Sequence, residues 1–450
     1  MTTTNKRKLT LFALTWPIFI EVLLHMLMGS ADTLMLSQYS DDSVAAVGVA
    51  NQILALIIVM FGFVATGTSI LIAQNLGANQ QKTAREISAV SIGANLLFGL
   101  LLSVLIFIFG KPILLLMNIP TELMDEAKSY LLIVGGFSFI QSLIMTIGAI
   151  VRSYGFTRDI MYITIGMNIL NVVGNYLFIF GPFGFPVLGV EGVAISTTVS
   201  RILGLVVSVI VLLKRIDGKL PIKMLYSFPK VHIKKLLNIG IPSAGEQLSW
   251  NASQMVITFF IAMLGTEALT SKVYVQNLMM FILLFGVAIS QGTQIMIGYM
   301  VGSGQLNEAY KRCLNSLYLA IGISFLMALL FSFFSENLLG IFTDNKEIIS
   351  IGTTLILLTI ILEPGRSFNL VIISSLRAAG DVKFPVYMGI ISMWGVSVTL
   401  AYILGIYFEL GLVGIWIAFI ADEWLRGLLM LWRWRSKVWH KKSFVEAKAV

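Results

Sequence analysis

The chain of 450 residues holds one cysteine, three histidines and only 12% charged residues. A lone Cys313 cannot close an internal disulfide, so neither a disulfide-stapled fold nor dithiol redox chemistry is indicated. His25, His232 and His440 lie far apart with no metal-ligand spacing around them, which argues against a metal centre and against any cofactor held by one. No nucleophile–base pair stands out either, and this weighs against a membrane-embedded enzyme. An ordinary soluble domain carries about 25% charge. Here 57% of residues are hydrophobic and the mean hydropathy is +0.89, so the natural solvent is a bilayer.

A spanning helix needs roughly 20 mostly apolar residues. Polar interruptions divide the chain into twelve such stretches, near 12–37, 44–75, 88–116, 130–150, 160–181, 187–213, 237–264, 272–300, 314–342, 350–376, 385–408 and 411–434. They are too long for barrel strands of about 9–11 residues and lack their alternation. The expected fold is an all-α integral membrane protein with 12 transmembrane helices. The first apolar run is long, is interrupted by Glu21 and Asp32 and lacks a small-residue cleavage site, so it reads as a first span rather than a cleaved signal peptide.

Lysine and arginine set the expected orientation. With the N-terminus cytoplasmic, the inner segments hold Lys6, Arg7, Lys8, Lys82, Arg85, Arg152, Arg158, Lys311, Arg312, Arg377 and Lys383, a basic stretch at 214–235 and the basic C-terminal end with Lys448. The outer segments keep only Lys111, Lys128, Lys272 and Lys346. Both termini are therefore expected on the cytoplasmic side of the plasma membrane. Attraction to anionic inner-leaflet lipid accounts for the net charge of +8, and nucleic acid is not needed as a partner.

The chain also repeats itself. Gly67-Thr68 with Ile70, Ile72, Gly77 and Gln80 recurs 225 positions later as Gly292-Thr293 with Ile295, Ile297, Gly302 and Gln305. The same offset carries Pro17 and Glu21 onto Pro242 and Glu246, and Arg152 and Gly155 onto Arg377 and Gly380. Later in each half the offset is 222, aligning Leu188-Gly189 with Leu410-Gly411; a three-residue loss belongs in the outer loop of the second half. The organisation is an N-terminal lobe at 1–213, a basic linker at 214–236 and a C-terminal lobe at 237–450. Six helices per lobe make the repeats parallel, related by a pseudo-twofold along the membrane normal, with function expected where the lobes meet.

Trp16-Pro17 followed by Gly29, Asp32-Thr33 and Met35, then Ala73-Gln74-Asn75-Leu76-Gly77-Ala78, open the chain in a distinctive way. Arg152-Ser153-Tyr154-Gly155 leads to Asn168, Asn171 and Asn175, then Phe183-Gly184-Phe185-Pro186 and Gly189-Val190-Glu191-Gly192. The second lobe answers with Leu376-Arg377-Ala378-Ala379-Gly380-Asp381 running to Pro385. Ordered along twelve helices, these motifs resemble the multidrug and toxic compound extrusion (MATE) family of cation-coupled antiporters over nearly the whole chain. The resemblance implies export of small organic molecules in exchange for H⁺ or Na⁺, with no cofactor and no obligate protein partner.

The acids inside the bilayer are where such exchange would act. An ionised side chain at a helix centre costs about 2.5–3.5 kcal/mol on insertion scales, so it needs a partner, a proton or a watered cavity. Glu21, Asp32, Glu246, Glu363, Asp422 and Glu423 all fall well inside their helices. Asp32 lies nine residues before Asp41, roughly 13 Å deep at 1.5 Å per residue. Desolvation favours the neutral form of a buried carboxyl group, which suits proton exchange near neutral pH. The resemblance implies that Asp32 is the coupling residue, since the family's first-helix Asp is a cation-coupling position. Asn168, Asn171 and Asn175, at i, i+3 and i+7, offer it amide oxygens from one helix face. Some relatives carry an acid where Asn175 stands, so a Na⁺ cage here would have one charge fewer. The plainer alternative makes Asp32 a cap for a kink beside Gly29 and Ser30.

The other acids form a possible substrate or second cation site. Glu21 and Glu246 each follow a helix-kinking proline by one turn, and their duplication points to a shared structural task as much as to transport. Glu363 has Arg366 three residues on, and Asp422 and Glu423 have Arg426, so intrahelical ion pairs compete with a cation-site reading. Arg152 and Arg377, at helix ends, read as lipid or helix-dipole anchors. The 21 Met and 29 Phe residues offer an adaptable apolar lining for varied cargo, with Met28, Met35, Met255, Met279, Met280 and Phe281 nearest the polar positions.

Three functions stay in competition. An antiporter would export an organic, cationic amphiphile by alternating access. A flippase for lipid-linked precursors, known in the wider superfamily, would need a strongly basic cavity, yet intramembrane arginines are few, chiefly Arg201 and Arg366. An embedded enzyme would need the catalytic groups that are missing.

Overall fold

A computed structural model of the protein describes residues 10–216 and 218–445; Lys6, Arg7, Lys8 and Lys448 lie outside these. All regular secondary structure among the described residues is helical, without a strand. Twelve helical rods follow one another: α1 (Leu11–Ser37), α2 (Asp41–Gly77), α3 (Gln81–Leu116), α4 (Thr121–Tyr130 and Ser138–Ser153 around a π-helical stretch at Leu131–Gly135), α5 (Thr157–Phe180) and α6 (Gly189–Arg215). After the linker come α7 (Lys230–Met263), α8 (Thr266–Gly302), α9 (Leu306–Phe333), α10 (Lys346–Ala378), α11 (Lys383 to Tyr407, with π-helical stretches at Met393–Val398 and Ile403–Tyr407) and α12 (Gly411–Arg435).

Each of the twelve apolar stretches meets one rod. Nine rods among the described residues are long and apolar enough to cross a membrane, and ten once the two pieces of α4, bent by 42°, form one span. The other two, α7 and α12, are 34 and 25 residues long and so reach across a bilayer. Their apolarity falls short because Glu246, Gln247, Asn251 and Gln254 interrupt α7, and Asp422, Glu423 and Arg426 interrupt α12. Lys272, expected in an outer segment, is the seventh residue of the 37-residue α8 and is buried, with its Nζ donating to Thr258 Oγ1 on α7 at 2.5 Å.

The repeated residues explain the turns. Gly155 and Gly380 end α4 and α10 with φ of 86° and 98°, a left-handed conformation that only glycine adopts without strain. At Gly380 a Cβ would also fall 1.9 Å from the Lys442 carbonyl oxygen, so the C-terminal segment packs directly on this turn. That segment is anchored further by Trp439 stacked on Trp434 at 4.1 Å and by Arg433 bound to Asp381 at 2.7 Å. Asn79 and Gly304, also 225 positions apart, are left-handed before the matched Gln80 and Gln305.

The chain forms two compact units that divide inside α7 between Gly240 and Ile241, with the turn Gly77–Asn79 counted in the second. In the first, α1 packs along α5, α5 along α6 and α3 along α4, around a core that includes Leu36, Phe61, Tyr130 and Val193. The linker belongs to this packing, because Gly93 on α3 lets the Leu225 carbonyl approach to where a Cβ would sit 2.0 Å away. In the second unit α10 is central, packing on α8, α9 and α12 over cores around Leu376 with Trp434 and Ile257 with Trp416.

Candidate functional site

Pro17, Glu21, His25 and Asp32 share one face of α1, because steps of four and seven residues return to the same side of a helix. At the C-terminal end of this stripe Asp32 is 5% exposed, and Asn175 of α5 donates its Nδ2 to Asp32 Oδ1 at 2.5 Å. Asn171, one turn earlier, also faces the carboxylate and donates to Thr197 Oγ1 of α6 at 3.1 Å. The Oδ1 atoms of Asn171 and Asn175 are buried acceptors with no hydrogen-bond partner among the described residues. They can accept from a protonated carboxyl or coordinate a cation. Asn168 is turned away from this group, its Nδ2 donating to the Thr164 carbonyl at 2.9 Å. Tyr130 and Arg201 complete the surroundings: the buried Tyr130 hydroxyl meets Asn51 and Thr197, and the Arg201 guanidinium is in electrostatic reach of Asp32 and Tyr130.

The N-terminal end of the stripe holds an ion pair. Arg152 Nη1, at the end of α4, donates to Glu21 Oε1 at 2.6 Å. The second unit repeats the contact between Arg377 at the end of α10 and Glu246 on α7. Both pairs span 131 residues. The duplicated arginines are thus partners of the duplicated glutamates, which corrects their reading as lipid or helix-dipole anchors. The physical reason is that a buried carboxylate in the middle of a helix needs a counter-charge, and the end of another helix of the same unit supplies one.

In the second unit, three acids and two arginines meet where α10 faces α12. Glu363, fully buried, accepts from Arg366 Nη1 at 2.7 Å, and its other oxygen has no partner among the described residues. Arg426 Nη2 lies 2.9 Å from Asp422 Oδ2 and 3.1 Å from Glu423 Oε1. Asn369 donates to Glu423 Oε2 at 2.8 Å, and the Ser392 hydroxyl donates to Asp422. Fully ionised, the cluster has one negative charge in excess. The intrahelical pairs foreseen at Glu363–Arg366 and Asp422–Arg426 are therefore present but joined into one network.

Every intramembrane acid singled out in the sequence except Asp32 makes a salt bridge within the described residues. Asp32 has only neutral amide contact at hydrogen-bond distance. Tyr130, Thr197, Asn369 and Ser392 join the two clusters without any sequence signal, since each is an ordinary polar residue in an apolar run. Arg201 was visible as a rare intramembrane arginine. Its nearness to Asp32 depends on how α6 packs on its neighbours.

The MatE family model matches residues 17–177 and again 242–403, starting at the two repeated prolines. The "Uncharacterized transporter YisQ" of Bacillus subtilis (strain 168) is 59% identical over 434 residues, 96% of this chain and 95% of its own length. The "Probable multidrug resistance protein NorM" of Thermotoga maritima is 28% identical, over 98% of this chain and 95% of its own. Among solved structures, an outward-facing multidrug resistance MATE transporter of the MOP superfamily superposes with a TM-score of 0.87 at 20% identity, covering 96% of each chain. A MATE transporter structure from Vibrio cholerae also gives 0.87, at 19% identity, over 96% of this chain and 97% of its own. These structures establish a shared fold. The doubled family match, together with a transporter alike along nearly the whole length, means that this multi-pass membrane protein belongs to the MatE family of multidrug transporters.

Proposed function

We propose that the protein is a secondary active antiporter that exports organic, cationic amphiphiles in exchange for H⁺ or Na⁺, with Asp32 as the coupling acid. The observation that carries this reading is the contrast among the buried acids: Glu21, Glu246, Glu363, Asp422 and Glu423 each have an arginine in salt-bridge contact, whereas Asp32 has Asn175. A carboxylate already neutralised by arginine gains little from a proton or Na⁺. One held by neutral amides gains much, and the free Oδ1 atoms of Asn171 and Asn175 supply the acceptors that a proton on Asp32 or a bound Na⁺ would use. The three-acid, two-arginine network is the second candidate, since its excess charge calls for one more cation. A flippase reading loses support because Arg201 and Arg366 both neighbour acids.

Cargo and coupling ion would favour different states of the transporter, and each shifts the equilibrium only by its differential affinity. Both termini and the basic linker are assigned to the cytoplasmic side by the bias of lysine and arginine. The test is efflux of a fluorescent organic cation from proteoliposomes under a pH gradient or a Na⁺ gradient imposed separately. One of the two gradients is expected to drive efflux in the wild type, and Asp32→Asn is expected to abolish the gradient-driven component. No response to either gradient would overturn antiport; intact coupling in Asp32→Asn would overturn the role of Asp32 alone.

A further inference from the structure

Between α5 and α6 of the first unit runs an open groove of about 500 Å³. Its length, from Asp159 to Leu170 on one helix and from Leu203 to Arg215 on the other, is roughly 16–18 Å at 1.5 Å per residue. The walls are apolar, with Leu170, Leu203 and Val207 all exposed. Two glycines shape it. At Gly204 a Cβ would fall 2.1 Å from the Met167 sulfur, so its absence lets α6 close onto α5 and fix the groove's back. At Gly166 a Cβ would meet nothing within 4 Å, so the space there is free.

The end nearest the linker is polar, and its charges do not cancel. Arg215 binds Asp159 through two contacts of 2.6 and 3.2 Å and lies 4.6 Å above the Phe156 ring, which fixes that pair in place. Lys214 is exposed and makes no hydrogen bond or ion pair with the described residues. An apolar channel of ligand size that ends in one uncompensated ammonium fits an amphiphile with an anionic head. Basic pockets between transmembrane helices favour anionic lipid for the same reason. An organic cation would set its charge against Lys214.

We propose that this groove is a specific site for an anionic phospholipid of the leaflet beside the basic linker, one acyl chain lying between α5 and α6 and the phosphate held by Lys214. This assignment does not depend on the coupling ion or on Asp32. It concerns a lipid that stays with the protein rather than its cargo.

The experiment uses the full-length protein in detergent, equilibrated with equal amounts of phosphatidylglycerol and phosphatidylcholine and examined by native mass spectrometry for retained lipid. Phosphatidylglycerol is expected to be retained preferentially. Lys214→Gln is expected to lower that preference about fivefold, the scale of one basic residue at an anionic surface, while Lys214→Arg keeps it. Gly166→Leu, which fills the groove, is expected to reduce retention even with Lys214 intact. Melting curves identify any variant that fails to fold, and the conservative Lys214 pair then decides by itself. Equal retention of the two lipids by the wild type, an unchanged preference in Lys214→Gln, or displacement of phosphatidylglycerol by a lipophilic organic cation would each overturn the assignment.

Discussion

Removing one member of the Glu246–Arg377 pair separates two accounts of the duplicated arginines by magnitude. A surface arginine that only complements a helix dipole contributes about 0.3–1 kcal/mol, and its loss would not depend on Glu246. A largely desolvated ion pair behaves otherwise, because breaking it strands a buried charge at a cost of about 3–5 kcal/mol. The side chains of Arg377 and Glu246 are 19% and 11% exposed, and Arg426 also acts on Glu246, so the low end of that range applies. Arg377→Met is thus expected to cost about 3 kcal/mol. At about 2–4 °C per kcal/mol for a unit of 150–250 residues, this lowers the midpoint of the second unit's transition by about 6–12 °C in the detergent-solubilised protein, and by less where both units unfold together. Glu246→Gln should cost a similar amount, since it leaves the guanidinium without its partner. The double variant should cost much less than the sum, because neither charge is left alone, and the cycle should return a coupling of about 1–3 kcal/mol. Glu21→Gln and Arg152→Met should reproduce the pattern. Additive losses below about 1 kcal/mol would refute the ion-pair account and restore the anchors.

The turn glycines and the C-terminal segment yield further expectations. Gly155→Ala should cost about 1–2 kcal/mol through left-handed strain, whereas Gly380→Ala should cost more, because its Cβ would also strike the Lys442 carbonyl; thermal midpoints of the two variants give the ranking. Burial, followed by the charge of Lys437, holds the His440 imidazole below its usual value of 6.5. The folded segment therefore prefers neutral His440, so the unfolded form takes up more protons as pH falls through about 6.5 and the packing of Trp439 on Trp434 weakens there. Tryptophan fluorescence between pH 8 and 5 should report the change, and His440→Gln should flatten it.

Much of the architecture is legible in one dimension because the bilayer imposes a simple rule: a rod must be apolar for about 20 residues. Ten rods obey that rule once the two pieces of α4 count as one span, whereas α7 and α12 have the length but break the apolar run with Glu246, Asp422, Glu423 and Arg426, which are held in ion pairs. The repeat likewise marks its own turns, since Gly155 and Gly380 are duplicated for a backbone conformation that their positions require. Partnerships are harder to read. Glu363–Arg366 and Asp422–Arg426 are visible because three and four residues close one helical turn. Glu21–Arg152 and Glu246–Arg377 are hidden because 131 residues separate the partners, although their common offset of 225 was a clue that the four belong together. Asn168, Asn171 and Asn175 share a face only approximately, and the packing of α1 and α6 on α5 selects the last two for Asp32.

Symmetry separates scaffold from coupling. An ion pair present in both units stabilises each in the same way and gives no basis for one unit to respond to an ion while the other does not. The Glu–Arg pairs, the turn glycines and the kinking prolines are of this kind. Where the repeat breaks, the chemistry diverges: Asp32 aligns with Ile257, Ser200 with Asp422, and Arg201 with Glu423 through the later offset. The first unit thereby places one amide-held acid beside one arginine, while the second gathers three acids around two arginines. A single binding step can neutralise Asp32, but the second cluster redistributes any added charge among several members, as groups in a strongly coupled titration do. Sensitivity to one ion is therefore expected to be sharp at Asp32 and blunt at Glu363, Asp422 and Glu423. The asymmetry also accounts for why the proposed coupling residue is the acid with the fewest charged contacts.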